Sequence, residues 1–272
     1  MLTRTSRAIL LAGTTLALLL AAELRSPDSA PVGPPPAPLP LRIAAAADLR
    51  FALDDLTAAY RKERPGVEPE VTYGSSGTFF AQIVNGAPFD LFMSADAEYP
   101  RQLAMRGLTV PGTEFIYAIG RLAIWVPAAS PLDVEKKGLD VLVDPGIAHV
   151  SIANPEHAPY GRAAEAAMRA ANVYDGIKTK LVLGENVAQA LQFVQSGSAD
   201  VGIVALSLVI APTVKDRGRY SIVPAKLYPA LEQGGVVLRT DGVDQARDFR
   251  KYLLGDTARD VLKRYGFYRS ER

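Results

Sequence analysis

The sequence predicts an α/β fold with largely parallel sheets, on three observations. Short apolar runs alternate with amphipathic stretches along residues 41–272, the order typical of strand-helix units. Several of the apolar runs end directly in a polar or small residue that can open a helix. The chain has 272 residues, 49% hydrophobic and 22% charged, which is enough to bury one or two cores. The sequence contains no internal repeat of the kind that would indicate a solenoid.

The first part of this region predicts three strand-helix pairs. Apolar side chains recur at helical spacing after each strand, and Pro65-Gly66 ends the first helix. The predicted strands are 41–47, 67–73 and 89–94, and the helices that follow them are 49–60, 79–84 and 95–106.

The apolar run 116–127 is long enough to pass from one lobe into another. Beyond it the same alternation continues and ends in two helical patterns near the C-terminus. The predicted strands are 149–153, 180–183, 200–205 and 235–238, and the predicted helices are 162–172, 187–195, 246–254 and 258–265.

The N-terminus reads as an export signal followed by a linker. Residues 1–7 are short and basic, and residues 8–22 are apolar except for two threonines. We therefore assign residues 1–25 to a signal peptide or N-terminal anchor. Residues 26–40 hold seven prolines and predict a Pro-rich, semi-rigid linker, so that the fold begins at Leu41. In either case the body of the protein lies outside the cytosol.

Composition excludes several classes of function. A formal net charge of +1 gives no basic excess for nucleic acid or anionic lipid. The absence of cysteine excludes disulfides, thiolate metal sites and cysteine nucleophiles. Only His149 and His157 are available for a histidine-based metal site or catalytic triad. Any chemistry must therefore use oxygen atoms and backbone groups.

Enzyme motifs are incomplete. The sequence around Ser75 and Ser76 is GSSGT, in which Thr78 stands where a nucleophile elbow requires glycine. The nucleotide-binding patterns GxxxxGK[ST] and GxGxxG do not occur at the strand ends. Asp90 and Asp96 lack the spacing of a calcium loop, and we interpret Asp96 as a helix cap.

The places where strands lead into helices suggest an anion site. The first N–H groups of a helix lack intrahelical partners and carry the positive end of the helix dipole. Parallel strands bring such joints to one edge of a sheet. The polar residues at these joints are either simple helix caps or part of a ligand cleft. In a cleft, five to seven hydrogen bonds to a charged oxyanion, each contributing roughly 1.5 to 3 kcal/mol, would suffice for micromolar to nanomolar binding.

Taken together and in order, six segments resemble the extracytoplasmic molybdate-binding proteins that feed ABC-type importers. The resemblance covers nearly all of residues 41–272 and implies the hinged, two-lobed periplasmic-binding-protein fold of type II, with a ligand cleft between lobes formed by 41–122 plus 224–272 and by 123–223. The segments are AAADL at 45–49, YGSSGT at 73–78, GAPFDLFMSAD at 86–96, NPEHAPYG at 154–161, GENVAQA at 184–190 and KRYGF at 263–267.

The resemblance also implies an oxyanion site of uncharged donors. It assigns the hydroxyl and N–H of Ser76 and the N–H groups of Ala95, Tyr160 and Val187 to the ligand, with Ala47, Asp48 and Ser75 beside them. Molybdenum would be held only as the oxyanion, through these same residues, with no cofactor and no catalysis.

Two positions depart from the family pattern. Asp48 replaces the usual serine, and Ala205 replaces a tyrosine found in many relatives. A carboxylate about 4 Å from one unit of ligand charge opposes binding by about 4 kcal/mol at an effective dielectric near 20. We expect Asp48 to turn away and cap the helix that begins at Leu49, and Tyr160 to supply the missing phenol.

The implied function is capture of molybdate, and of tungstate, for a membrane permease. The expected partners are the small oxyanion and an ABC permease, with no nucleic acid, and the expected state is a monomer. The expected location is periplasmic or extracytoplasmic, with residues 8–22 either removed or kept as a tether. Alternatives are a binder of sulfate or phosphate, an exported serine hydrolase using Ser75 or Ser76, and a tethered sensory or scaffold domain.

Overall fold

The computed structural model describes residues 39–268, which form two five-stranded sheets with helices packed on their faces. The predicted signal at 1–25 and most of the linker at 26–40 lie outside the described residues. The strands are β1 (Leu39–Ala46), β2 (Val67–Gly74), β3 (Leu91–Ser94), β4 (Phe115–Gly120), β5 (Leu122–Pro127), β6 (Val150–Ala153), β7 (Leu181–Gly184), β8 (Val201–Ala205), β9 (Gly218–Ile222) and β10 (Leu231–Val237).

The helices mostly follow the strands along the chain. Short 3-10 segments occur at Ala47–Leu49, Gly138–Val143, Lys178–Lys180, Lys215–Arg217 and Ala225–Leu227. The α-helices are α1 (Arg50–Glu63), α2 (Ser76–Val84), α3 (Glu98–Met105), α4 (Val134–Lys137), α5 (Pro159–Ala170), α6 (Tyr174–Ile177), α7 (Val187–Gln195), α8 (Leu206–Val209), α9 (Val243–Leu253) and α10 (Asp256–Arg264).

The two sheets have the same pattern of strand directions. The first has the order β2-β1-β3-β10-β4 and the second β7-β6-β8-β5-β9. In each sheet the first three strands are parallel and the last two pair antiparallel. The expectation of largely parallel sheets therefore holds for only half of the pairings, because each sheet also includes strands that belong to the crossings between lobes.

The chain passes between the sheets twice. It leaves the first sheet after Gly120, enters the second at Leu122, and returns between Ile222 and Leu231. The apolar run 116–127 is thus two strands in two sheets, β4 and β5. Sequence periodicity gave no sign of β9, and β1 begins at Leu39, two residues before the expected start.

Strand register places the cleft residues. Ala46, the last residue of β1, pairs with Gly74, the last residue of β2, and Ala45 pairs with Met93 of β3. In the second sheet Ala153 pairs with Gly184. Because the parallel strands end at the same level, the loops after them meet at the carboxyl edge of each sheet.

A buried ion pair ties the first sheet together at the opposite edge, where β3 begins and β10 ends. The fully buried carboxylate of Asp90 accepts hydrogen bonds from the backbone and guanidinium of Arg42 at 2.8 to 3.0 Å and from the hydroxyl of Thr240 at 2.6 Å. Burial alone favours the neutral acid, but the Arg42 and Thr240 hydrogen bonds outweigh it and hold the pKa of Asp90 below its ordinary value.

Among residues 39–268, no helix has the length and apolar character needed to cross a membrane.

Candidate functional site: a cleft lined by helix N-termini

A small cavity lies between the carboxyl edges of the two sheets. All seven residues that the sequence predicted for the oxyanion line it, and none of its lining residues is Lys, Arg or His. The lining residues are Ala46, Ala47, Asp48, Gly74, Ser75, Ser76, Ala95, Ala158, Pro159, Tyr160, Asn186 and Val187.

Helix α2 offers the cavity the backbone and hydroxyl of Ser76. Ser76 is the first residue of the helix, so its N–H has no intrahelical partner. Its Oγ accepts a hydrogen bond from the N–H of Ala95 at 2.9 Å, which leaves the hydroxyl proton available to a ligand. The N–H of Ala95, expected to contact the oxyanion, instead orients the Ser76 hydroxyl.

Ser75 plays a different part from its neighbour. Its Oγ caps α2 by accepting from the N–H of Thr78, and its hydroxyl donates to the backbone carbonyl of His157 at 2.8 Å. Since the single hydroxyl proton is used in that bond, the Ser75 side chain cannot also donate to a bound oxyanion.

The 3-10 turn after β1 supplies further donors. The first two residues of this turn are Ala47 and Asp48, and no side chain caps it. Their N–H groups come before the first hydrogen bond of the turn, from Arg50 to the carbonyl of Ala47. The turn therefore places two amides without an intrahelical partner beside the cavity.

Two helices of the second sheet complete the donor set. Helix α5 begins with Pro159, which has no N–H, so Tyr160 supplies the first amide of that helix. In α7 the side chain of Asn186 accepts from the second and third amides, of Ala188 and Gln189, which leaves the N–H of Val187 without an intrahelical partner. Both free amides belong to residues that line the cavity.

Asp48 does not cap the helix that begins after it, and that expectation was wrong. Neither the 3-10 turn nor α1 has a side-chain cap. The carboxylate is 1% exposed, its Oδ2 accepts from the amide of Gln233 and it also accepts from the phenol of Tyr160, while its Oδ1 has no hydrogen-bond partner among the described residues. Burial raises the pKa of Asp48 to about 7, against the opposing effect of hydrogen bonds from Gln233 and Tyr160 and from the backbone amides of Asp48 and Leu49.

The Tyr160 side chain is therefore committed to Asp48. Its hydroxyl also accepts from the Nε2 of Gln233 at 3.2 Å, beside Gly120 where the chain leaves the first sheet. Burial and the charge of Asp48 raise the pKa of the Tyr160 phenol well above its ordinary value, so it remains a hydrogen-bond donor. The phenol expected to replace the family tyrosine at 205 serves the carboxylate instead.

Hydrogen bonds join the two sides of the cleft. The carbonyl of His157 accepts from the N–H of Gly77 at 2.9 Å as well as from Ser75, and Thr78 donates to Glu185 at 3.0 Å. At the rim, Arg162 pairs with Asp96 at 2.7 Å. Asp96 accepts from the N–H of Glu98 at 3.0 Å, but it lies one residue before Ala97, the N-cap of α3, and no side chain caps this helix, so the expected cap at Asp96 is not formed.

Ser75, His157 and Glu185 together resemble a catalytic triad in their contacts. Nδ1 of His157 lies 2.9 Å from the Ser75 Oγ, and its Nε2 lies 3.5 Å from Glu185. The hydroxyl proton of Ser75 already goes to the carbonyl of His157, so the contact at Nδ1 requires the imidazole to donate its own proton. An imidazole that donates at Nδ1 cannot act there as the base that activates serine.

Comparison with known proteins places the chain in a family. Residues 41–268 match the family model described as bacterial extracellular solute-binding protein. The chain belongs to this family.

The relatives of this solute-binding protein include well-matched molybdate binders. It is 39% identical over 206 residues to the molybdate-binding protein ModA of Rhodobacter capsulatus, covering 75% of this chain and 79% of that protein. It is 38% identical over 229 residues to ModA of Azotobacter vinelandii, covering 84% and 89%. The solved Azotobacter vinelandii periplasmic molybdate-binding protein superposes with a TM-score of 0.80 at 32% identity, over 85% of this chain and all of that one.

Sequence reasoning missed three side chains that shape the site of this solute-binding protein. Gln233 and Tyr117 lie beneath the cavity, where the Tyr117 hydroxyl is 3.0 Å from the Oε1 of Gln233. The third is His157, whose Nδ1 lies 2.9 Å from the Oγ of Ser75 across the cleft. Gln233 lies in β10, about 185 residues from Asp48 along the chain, so no local pattern could have paired them.

Proposed function

We propose that this solute-binding protein captures molybdate and tungstate outside the cytosol and delivers them to an ABC permease. The proposal assigns the oxyanion to the cavity between the sheets, with Ser76 and the amides of Ala47, Asp48, Tyr160 and Val187 as its donors. The protein acts by binding and release, without covalent chemistry and without a cofactor.

One observation carries the proposal: five helix-start amides and one serine hydroxyl converge on a cavity with no basic side chain. Such donors favour an anion whose charge is fixed, because fixed dipoles stabilise the charge without proton exchange. Six hydrogen bonds to a charged acceptor, each contributing roughly 1.5 to 3 kcal/mol, exceed the roughly 8 to 12 kcal/mol that micromolar to nanomolar binding requires, which leaves room for the costs of association.

The lobes supply the mechanism of capture. We propose lobes at 41–122 plus 224–272 and at 123–223, which rotate about the two crossings near Gly120 and Ile222. Donors come from both lobes, so a bound oxyanion favours the closed form by contacting both at once. Opening against the permease would separate the donors and release the ligand. The mature protein is proposed to act as a monomer, exported by residues 1–25 or tethered by them.

Calorimetric titration tests the function directly. We expect molybdate and tungstate to bind with micromolar or tighter Kd at pH 6, and sulfate and phosphate to bind at least about a hundredfold more weakly. True ligands also raise the melting temperature, by an amount that grows with ligand concentration. Tight binding of sulfate or phosphate alone would assign the site to that oxyanion, and a folded protein that binds none of the four would refute the proposal.

Substitution of Ser76 ties the binding to this cavity. Ser76→Ala removes one charge-assisted hydrogen bond, so we expect the Kd for molybdate to rise roughly 10- to 100-fold. Ser198→Ala is the matched control, because Ser198 is exposed beyond the far end of α7. Equal affinities for the two variants would show that the oxyanion binds elsewhere.

A further inference from the structure

The cavity holds a buried carboxylate where a dianion is expected. Asp48 is 1% exposed and lines the cavity, and no lining residue carries a positive charge. Two negative groups that share a space from which water is excluded repel each other strongly. A charged Asp48 and a bound dianion are therefore poorly compatible, and one of the two must change its charge.

The hydrogen bonds of Asp48 show where a proton would fit. Oδ2 is occupied, because the Nε2 of Gln233 donates to it. The Oε1 of Gln233 lies 3.0 Å from the hydroxyl of Tyr117, on the side of the amide away from Asp48. Oδ1 has no partner among the described residues although it is buried. A proton on Oδ1 would turn that oxygen from an unsatisfied acceptor into a donor.

We propose that the cleft takes up its oxyanion together with one proton, which Asp48 carries on Oδ1, so that Asp48 is the residue that makes binding depend on pH. This inference rests on the proposed function. The proton comes from solvent and adds to the carboxylate, one O–H bond forms, and no other bond changes. The neutral acid removes the repulsion and adds a donor at the site, while Gln233 and Tyr160 hold the group in place.

Within residues 39–268, no charged side chain acts on Asp48. The titratable groups that face it are the phenols of Tyr160 on α5 and Tyr117 on β4, and burial raises the pKa of both well above the ordinary value. Helices α7 and α8, which pack against its turn, have no titratable side chain. Arg50, which begins α1, is exposed to solvent. Asp48 is thus the group in this cluster that can take up a proton near neutrality.

The direction of the pH dependence follows from the linkage between proton binding and oxyanion binding. A carboxyl with a pKa of about 7 in the free protein is largely protonated at pH 6 and largely ionised at pH 8.5. A bound dianion raises that pKa further, so binding at pH 8.5 draws a proton from the buffer, whereas binding at pH 6 draws almost none. Affinity therefore falls as pH rises above 7.

Calorimetry with molybdate in pairs of buffers of different ionisation enthalpy measures this proton. At pH 8.5 the wild-type protein is expected to take up about one proton per molybdate, and at pH 6 about 0.1. Its Kd is expected to rise about tenfold per pH unit between 8 and 9. Asp48→Asn, which keeps the shape without the charge, is expected to bind with no proton uptake and with a Kd independent of pH.

His157→Gln is the matched control, because its imidazole contacts Ser75 across the cleft and is the other side chain there that can carry a proton. We expect this variant to keep both the proton uptake and the slope of Kd with pH. Wild-type binding with no proton uptake and an unchanged Kd from pH 6 to 9 would overturn the inference alone, as would loss of the slope in His157→Gln. Failure of the folded wild type to bind any oxyanion at pH 6 would instead overturn the proposed function, and the inference with it.

Discussion

Gly77→Ala is expected to raise the Kd for molybdate at least about a hundredfold, because the cleft can no longer close fully. A methyl group at residue 77 would lie 2.6 Å from the carbonyl oxygen of His157 and 3.0 Å from its Cα. Both atoms belong to the backbone of the opposite lobe and cannot rotate away. The two lobes would have to separate, which pulls the amide of Tyr160 away from the donors of the first lobe.

The same substitution leaves the free lobe intact. Gly77 lies in the first turn of α2, where alanine is the better helix former by about 1 kcal/mol. The nearest atom of its own lobe is the hydroxyl of Tyr99 at 2.8 Å, at the end of a side chain that can shift. We therefore expect an unchanged or slightly raised melting temperature without ligand, together with the weakened binding measured by calorimetry.

Gly66→Ala is the matched control for that experiment. An added methyl at residue 66 meets nothing within 4 Å, so neither affinity nor stability should change by more than a small factor. If Gly77→Ala binds molybdate as tightly as Gly66→Ala does, the contacts across the cleft do not accompany binding, and closure as described here is wrong.

Most helices and strands of the fold could be predicted from local sequence patterns. The predicted helix at 187–195 coincides with α7, because Asn186 caps it and an apolar face runs along it. Strand β9 escaped notice because its residues, GRYSI, are only partly buried at the edge of the second sheet and show no apolar run. The antiparallel strands β10 and β5 could not be assigned a direction, since strand direction depends on pairings between residues far apart in the chain.

The site residues also fall into those that local sequence features predict and those that depend on contacts between distant parts of the chain. The joints at Ser76, Tyr160 and Val187 could be found from the sequence because a strand end followed by a helix start is a local feature, and parallel strands bring such features together. The partners of Asp48 could not be found in this way. Gln233 and Tyr160 reach it from β10 and from the other lobe, and only the folded chain brings the three together.

The misjudgement of Asp48 has a physical explanation. An aspartate at the start of a helix most often caps it, and that local rule favoured an orientation toward the helix amides. In the folded chain, the amide of Gln233 and the phenol of Tyr160 offer two donors on the other side, in a buried place where each hydrogen bond is stronger. A carboxylate held there loses its hydration, and its protonation becomes coupled to folding as well as to binding.

Asp48→Asn is accordingly expected to stabilise the free protein at pH 8. The pKa of Asp48 is about 7 when folded and near 3.9 when unfolded, so the folded state binds the proton more tightly. The contribution of Asp48 to the free energy of unfolding is most favourable below pH 4. It weakens as the pH rises toward 7 and stays at its least favourable value above that pH. Three pKa units correspond to roughly 4 kcal/mol, or a melting temperature higher by roughly 10 °C in the variant at pH 8.

Asp90→Asn provides the opposite case within the same lobe. Asp90 is equally buried, but Arg42 holds its pKa below the ordinary value, so its stabilising contribution is present at neutral pH and is lost only as pH falls into the acid range. We expect this variant to lose about 2 kcal/mol at pH 8. Melting temperatures of both variants and the wild type, recorded from pH 4 to 8.5, compare the two carboxylates directly. If Asp48→Asn melted below the wild type at pH 8, the charged carboxylate would itself be stabilising, and Asp48 would be a fixed charge with no proton to exchange.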